Sequence, residues 1–129
     1  MSWRLARGLD KLRSQVNARW PNRSRKADGT IGDRAHAARA SDHNPRGGIV
    51  HALDLTHSPG TGLDIHGLAD RLRQSKDPRI SYIISNRRIA SSKQNWAWRR
   101  YTGSNPHSGH MHISIRSNPQ ADKTNDWRI

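Results

Sequence analysis

An aspartate inside a short apolar segment limits what this chain can fold into. Asp54 lies within the segment from Ile49 to Thr56, whose β-branched and apolar residues predict a buried strand. A carboxylate in a buried strand is unfavourable unless a partner neutralises its charge, and a metal cation is one such partner. His43 and an Asn-Pro-Arg-Gly-Gly turn come just before this strand, so an imidazole also enters this part of the chain.

A second stretch, from His107 to Ile115, contains three further imidazoles and leads into another predicted strand. Strand alternation places His110 and His112 on one face. The chain has no cysteine, so any metal must be held by His, Asp, Glu and water. Zinc hydrolases commonly use three protein ligands and leave one position for water. The two stretches together therefore predict a zinc site for hydrolysis.

The order of these residues resembles that of the LAS metallopeptidases. This group contains the D-Ala-D-Ala dipeptidases and carboxypeptidases and the penicillin-insensitive murein endopeptidase. Ser41-Asp42-His43 looks like the S-x-H segment of the family, Ala52–Thr56 looks like its A-x-D-L-T segment, and His110-Met111-His112 matches its His-x-His. His107 adds the H-x-x-H-x-H arrangement that is typical of the murein endopeptidase branch.

The resemblance implies that His43, Asp54 and His112 bind one Zn²⁺ ion. It also implies hydrolysis of a peptidoglycan stem-peptide or cross-link amide bond by metal-activated water. The bond itself stays open between D-Ala-D-Ala, L-Ala-D-Glu and a cross-link to diaminopimelate. The segment from Pro45 to Gly48 makes the gap between the first two ligands longer than in many members of the family.

The catalytic base is expected among the remaining histidines. The dipeptidase branch carries a catalytic acid three residues before its last ligand, and that position is Gly109 here. His110 is therefore the expected base, with His107 as its partner or substitute, because an imidazole titrates near neutral pH. Ser41 and Arg39 are expected to hold a substrate carboxylate, with Arg34 as an alternative to Arg39.

Hydrophobic periodicity predicts an α+β fold with a small central antiparallel or mixed sheet flanked by two main helices. Residues 1–129 are expected to form a single metallopeptidase domain. The predicted helices are Ser2–Arg19, capped by Ser2, and Asp64–Ser75. The predicted strands are Ile49–Thr56, Ile80–Ser85, a short edge strand within Asn86–Ser92, an extended segment Asn95–Thr102, and Met111–Arg116.

Composition and charge restrict the partners. Only 32% of the residues are apolar and there is no Phe, which predicts a small core. The net charge of +13 favours a polyanionic partner, either nucleic acid, anionic lipid or an anionic cell-wall polymer. The charged N-terminus does not resemble a secretory signal, and no apolar stretch is long enough to span a bilayer.

These features suit a monomeric phage endolysin. Such an enzyme is made in the host cytoplasm and acts on peptidoglycan and the anionic envelope surface after the membrane is permeabilised. The main alternative is a basic nucleic-acid-binding protein or a metal-dependent nuclease, for which His43-Asn44 is a weak signal. No helix-turn-helix, paired RNA-binding aromatics or zinc finger supports that alternative, so no specific nucleic-acid partner is expected. A third alternative keeps the fold without catalysis.

Several other residues have simpler interpretations. His51 and His57 flank Asp54 without counterparts in the family and are expected not to bind metal. His36 and His66 are expected at the surface. Trp96 and Trp98 are expected to pack against the core and not to bind substrate.

Overall fold

The computed structural model describes residues 3–30 and 42–129. In this part of the chain, the α-helices are α1 (Arg7–Arg19) and α2 (Ile65–Ser75), and the strands are β1 (Arg4–Leu5), β2 (Ile49–Val50), β3 (Ala52–Thr56), β4 (Ile80–Ser85), β5 (Arg88–Ser91), β6 (Arg99–Arg100) and β7 (His110–Ile115). Five strands form an antiparallel sheet in the order β3-β7-β4-β5-β6, and β1 and β2 form a small parallel sheet. This arrangement confirms the predicted α+β class.

The two faces of the larger sheet differ in chemistry. One face is apolar and belongs to the same buried cluster as the inward residues of both helices. The sheet residues of that cluster include Leu53, Leu55, Ile83, Met111 and Ile113, and the helix residues include Leu9, Leu12, Val16, Leu68 and Leu72. Strand alternation assigns Asp54, His112 and Tyr82 to the opposite face. The helices therefore cover the apolar face, and the polar groups gather on the other.

Helix α1 begins later than the apolar stripe predicts. Arg4 and Leu5 pair with Ile49 and Val50 as parallel strands, so this segment cannot be helical. The carboxylate of Asp122 accepts a hydrogen bond from the Arg7 backbone N–H at 2.9 Å and satisfies one free donor at the start of the helix. The prediction of a helix from Ser2 was therefore wrong, and the capping residue comes from the far end of the chain.

The apolar segment from Ile49 to Thr56 forms two short strands instead of one. Ile49–Val50 joins β1 and Ala52–Thr56 joins β7, with the change of partner at His51. The predicted edge strand is present as β5, but it does not lie at the edge, because β6 pairs with its outer side. The order of strands in the sheet depends on long-range pairing, which local patterns do not reveal.

The C-terminal segment is fixed to the rest of the fold by buried side chains. Arg79 pairs with Asp77 at 2.7 Å and lies over the Trp127 ring, 3.6 Å from its centroid. Trp127 Nε1 donates to the Gly8 carbonyl of α1 at 2.8 Å.

Trp96 and Trp98 pack against the core, as predicted. Among the described residues, neither helix has the length and apolar character needed to cross a membrane.

Candidate metal centre

The pairing of β3 with β7 places the aspartate directly beside a histidine. In the antiparallel register Asp54 is opposite His112, and Thr56 is opposite His110. His112 Nδ1 lies 3.1 Å from Asp54 Oδ1, and His110 Nε2 lies 3.9 Å from Asp54 Oδ2. Directly opposite residues are the closest pairs that an antiparallel sheet offers. The sheet itself therefore brings together two of the three predicted ligands.

The third predicted ligand, His43, reaches the same carboxylate from a loop. Its Nε2 lies 3.3 Å from Asp54 Oδ1. Its Nδ1 lies 2.9 Å from the Thr30 carbonyl oxygen, which can only accept, so Nδ1 carries the proton. Gly29, the residue before Thr30, exchanges backbone hydrogen bonds with Asp54. The segment that orients His43 is thus attached to the strand that carries the carboxylate.

The three side chains form a donor set that could hold a metal ion. The ligand atoms of His43, Asp54 and His112 all lie within 4.8 Å of one another. Two ligand atoms at about 2.1 Å from a tetrahedral ion are about 3.4 Å apart, which is close to the two contacts with Asp54. His112 Nε2 lies 2.7 Å from Ser114 Oγ, so each imidazole turns its other nitrogen towards a fixed partner.

Mutual interactions keep this cluster charged. Burial disfavours the ionised carboxylate of Asp54, but the hydrogen bonds from His112 and His43 outweigh burial and lower its pKa. Burial also opposes protonation of His43, but Asp54 outweighs it and the pKa of His43 is raised. A divalent cation bound at this carboxylate would compete with the protons that the two imidazoles donate to it.

His107 and His110 lie beside the three ligand candidates. The ring centroid of His107 is 4.7 Å from that of His110 and 5.8 Å from that of His112. Burial lowers the pKa of His107 to about 4 and also lowers the pKa of His110, so both imidazoles are neutral near pH 7. His107 Nδ1 donates to the Asn105 carbonyl at 2.7 Å, which leaves Nε2 as an acceptor.

The backbone around His107 is held in an uncommon conformation. Its φ of 55° lies in the left-handed region, which non-glycine residues seldom adopt. The Asn86 N–H donates to the His107 carbonyl at 2.9 Å, and the Asn105 side chain accepts from the His107 N–H at 3.0 Å. These bonds fix the loop that presents the ring.

The described part of the structure does not place every predicted residue at this cluster. Ser41 and Arg39, the expected substrate ligands, lie outside the described residues together with Arg34 and His36. His51 and His57 are not members of the group that could hold a metal ion among the described residues.

His66 does not match its predicted place at the surface. It is half-buried, its Nε2 donates to the Ser108 carbonyl at 2.8 Å, and its Nδ1 contacts the Ser85 hydroxyl. His66 thus ties α2 to the loop between His107 and His110.

Sequence patterns missed the supporting roles of Tyr82 and Asp42 at the site. Tyr82 stacks on His112, with centroids 5.5 Å apart and planes at 15°, and its hydroxyl donates to Asp42 Oδ2 at 2.8 Å. Tyr82 was predicted only as part of a strand, since nothing local shows that β4 lies next to β7. The available signal was its period-2 position in Ile80–Ser85, which determines its face once the neighbouring strand is known.

Comparisons with protein-family models, with curated proteins and with solved structures found no match to this chain. The likeness to the LAS metallopeptidases therefore rests on the order of the motif residues. Independently of any family, the structure brings a buried His-Asp-His group together, with two further imidazoles beside it.

Proposed function

We propose that this chain is a zinc-dependent peptidoglycan peptidase that cleaves a stem-peptide or cross-link amide bond when a phage lyses its host. One observation carries the proposal: His43, Asp54 and His112 meet at one point. These are the three residues that the resemblance selects, and they come from separate parts of the chain. A buried polar cluster of this kind destabilises the folded state unless its groups are paired or bind an ion.

The donor set suits zinc. Two imidazoles and one carboxylate are a common protein ligand set for catalytic zinc, and they leave a position free. A zinc ion bound there would polarise the scissile carbonyl and make water more acidic. Thr30 and Ser114 would keep His43 and His112 oriented through their outer nitrogens.

The two neighbouring imidazoles supply proton transfer. His110 would take a proton from the attacking water and return it to the leaving amine; its position beside Asp54 and its neutral state near pH 7 support this role. His107 offers Nε2 as a second acceptor, since its Nδ1–H is committed to Asn105. Its ring is close enough to His110 to assist or to replace it.

A cationic surface next to the site supports a polyanionic wall as the partner. Arg88, Arg99 and Arg100 are exposed on the outer strands β5 and β6, and Arg87 is exposed in the turn before β5; we call these four residues the arginine edge. Arg88 is directly opposite Arg100, and like charges in this position repel each other unless an anion lies between them. The next residue, Tyr101, contacts the His107 ring, so the arginine edge borders the loop of the site.

The proposal is tested by digestion of purified peptidoglycan. The wild-type chain should clear peptidoglycan in a zymogram, and a chelator should abolish clearing that added zinc restores. His112→Ala should remove activity because one ligand is lost. His57→Ala is the matched control, since His57 lies outside the group that could hold a metal ion, and it should keep activity. Mass spectrometry of the released muropeptides identifies the bond.

Two results would contradict the proposal. Clearing that persists in His112→Ala would exclude this metal centre as the source of activity. Cleavage of plasmid DNA in place of peptidoglycan, under the same metal conditions, would favour the nuclease alternative.

A further inference from the structure

A chain of hydrogen bonds links the outer nitrogen of His112 to a carboxylate next to His43. His112 Nε2 lies 2.7 Å from Ser114 Oγ. Burial raises the pKa of Tyr82 to about 12, and a hydrogen bond from the Ser114 side chain acts in the opposite direction. The Tyr82 hydroxyl then donates to Asp42 Oδ2 at 2.8 Å. Ser114 is fully buried and lies opposite Tyr82 in the pairing of β7 with β4. This series of hydrogen bonds therefore connects β7 and β4 with the loop that carries His43.

The carboxylate of Asp42 determines which group donates in each hydrogen bond of this series. An ionised carboxylate only accepts, so Tyr82 uses its one proton on Asp42 and must accept from Ser114. Ser114 then uses its own proton and must accept from His112 Nε2–H. With Nε2–H committed to Ser114, Nδ1 is the nitrogen that can bind a cation, which would replace the proton that Nδ1 shares with Asp54 Oδ1 at 3.1 Å.

We propose that Asp42, Tyr82 and Ser114 are positioning residues that set the tautomer of His112 and thereby the zinc affinity of the metal centre. This inference rests on the zinc site of the proposed function and deepens it. None of the three needs to touch the ion. Their effect passes through the imidazole, as is usual for groups that hydrogen-bond to metal ligands.

Arg46 makes the role of Asp42 testable. Its Nη2 donates to Asp42 Oδ1 at 2.7 Å, on the side of the carboxylate away from the Tyr82 bond. In Asp42→Asn the amide oxygen would face Arg46 and the NH₂ group would face Tyr82. A donor at that place reverses the donor and acceptor roles in every hydrogen bond of the series, so that His112 Nε2 becomes an acceptor and Nδ1 carries the proton. The ligand nitrogen would then be blocked by a nearly isosteric substitution.

The experiment measures zinc affinity by competition with a chromogenic chelator. Asp42→Asn should weaken binding by about tenfold or more, and Tyr82→Phe, which keeps the ring stacked on His112, by about threefold to tenfold. In the Tyr82→Phe background Asp42→Asn should have little further effect, because the chain is already broken. Tyr101→Phe removes the same atom from a ring that contacts His107, and it should bind zinc like the wild type.

A second measurement needs no substitution. Imidazole ¹⁵N spectra of the zinc-loaded wild-type chain should show His112 bound through Nδ1 and protonated at Nε2. Coordination through Nε2, or unchanged zinc affinity in Asp42→Asn, would overturn the network while leaving the metal centre intact. A wild-type chain that binds no zinc would overturn the metal centre and the network with it.

Discussion

At the scale of single residues, hydrogen-bond partners divide the histidines of the site into distinct roles. His43 and His107 both donate Nδ1–H to backbone carbonyls, and Nε2 of His43 faces Asp54. His112 is oriented in the opposite sense, with Nε2 on Ser114 and Nδ1 on Asp54. The same side chain can therefore serve as a ligand or as a proton acceptor, and its partners decide which nitrogen is available.

Substitutions of the two groups of histidines should separate metal binding from catalysis. His110→Ala and His107→Ala should keep zinc and lower kcat, by about 10² to 10⁴-fold for the residue that transfers the proton. His112→Ala should lose zinc and activity together. Zinc content by atomic absorption and turnover of a muropeptide substrate distinguish the two outcomes. Loss of zinc in His110→Ala would instead make His110 a ligand.

At the scale of elements, the loop before the site is held by a buried ion pair. The Arg23 side chain is 0% exposed and pairs with Asp28 at 2.7 Å. Asp28 Oδ1 also accepts from the Thr56 N–H at 2.9 Å and from the Thr56 hydroxyl at 2.6 Å. This carboxylate therefore fixes the segment up to Gly29 and Thr30 against β3, where Thr30 orients His43.

Asp28→Asn should destabilise the fold in a pH-dependent way. Burial raises the pKa of Asp28, but hydrogen bonds from Arg23 and Thr56 outweigh burial, so the net pKa is lowered. A lowered folded-state pKa gives stability that is fully present above the unfolded-state pKa of about 3.9 and is lost as the pH falls through the folded value. The substitution should cost about 3 kcal/mol near pH 7, because it leaves Arg23 without its buried counter-charge.

Denaturant unfolding from pH 7 down to pH 2.5 measures this effect. The difference between the wild type and Asp28→Asn should be constant above pH 5 and should shrink below pH 4. Asp10→Asn is the control, since Asp10 pairs with Arg13 at the exposed surface of α1 and should change stability little. A difference independent of pH would show that the charge of Asp28 is not what stabilises the loop.

The sequence predicted those features that depend on local pattern. Period-2 alternation placed His110 and His112 on one face, and the apolar stripe of α2 located that helix to within one residue. The functions of Asp42, Tyr82 and Arg23 could not be predicted, because each depends on which strand or loop lies alongside. The start of α1 was missed for the same reason, since a strand pairing and Asp122 determine it.

At the scale of the whole molecule, positive charge is concentrated near the site as well as spread over the surface. Within the described part of the chain, Arg99 and Arg100 form no ion pair and lie on the outermost strand of the sheet. The net charge of +13 strengthens the field that they add to. The arginine edge is therefore the surface where a wall polymer would approach the cluster most favourably.

Removing positive charge from the arginine edge should weaken binding to peptidoglycan without lowering the rate of catalysis. Arg99→Gln/Arg100→Gln should lower binding to intact peptidoglycan by about tenfold at low salt, with a smaller loss at high salt as screening increases. Turnover of a small soluble muropeptide should stay unchanged. Arg71→Gln/Arg128→Gln removes the same net charge from exposed positions elsewhere and should have a weaker effect. Equal losses in both double variants would mean that only total charge matters.

Because Asp54 and His112 lie directly opposite each other, binding of a metal ion should also raise the thermal stability of the protein. A cation held by these residues and His43 would cross-link β3 and the preceding loop to β7, which lies far away in sequence. The unfolded chain lacks this arrangement, so zinc at about 100 times its Kd should add about 2.7 kcal/mol to the free energy of unfolding. Melting curves should therefore shift upward on titration with zinc, and His112→Ala should melt at one temperature whatever the zinc concentration.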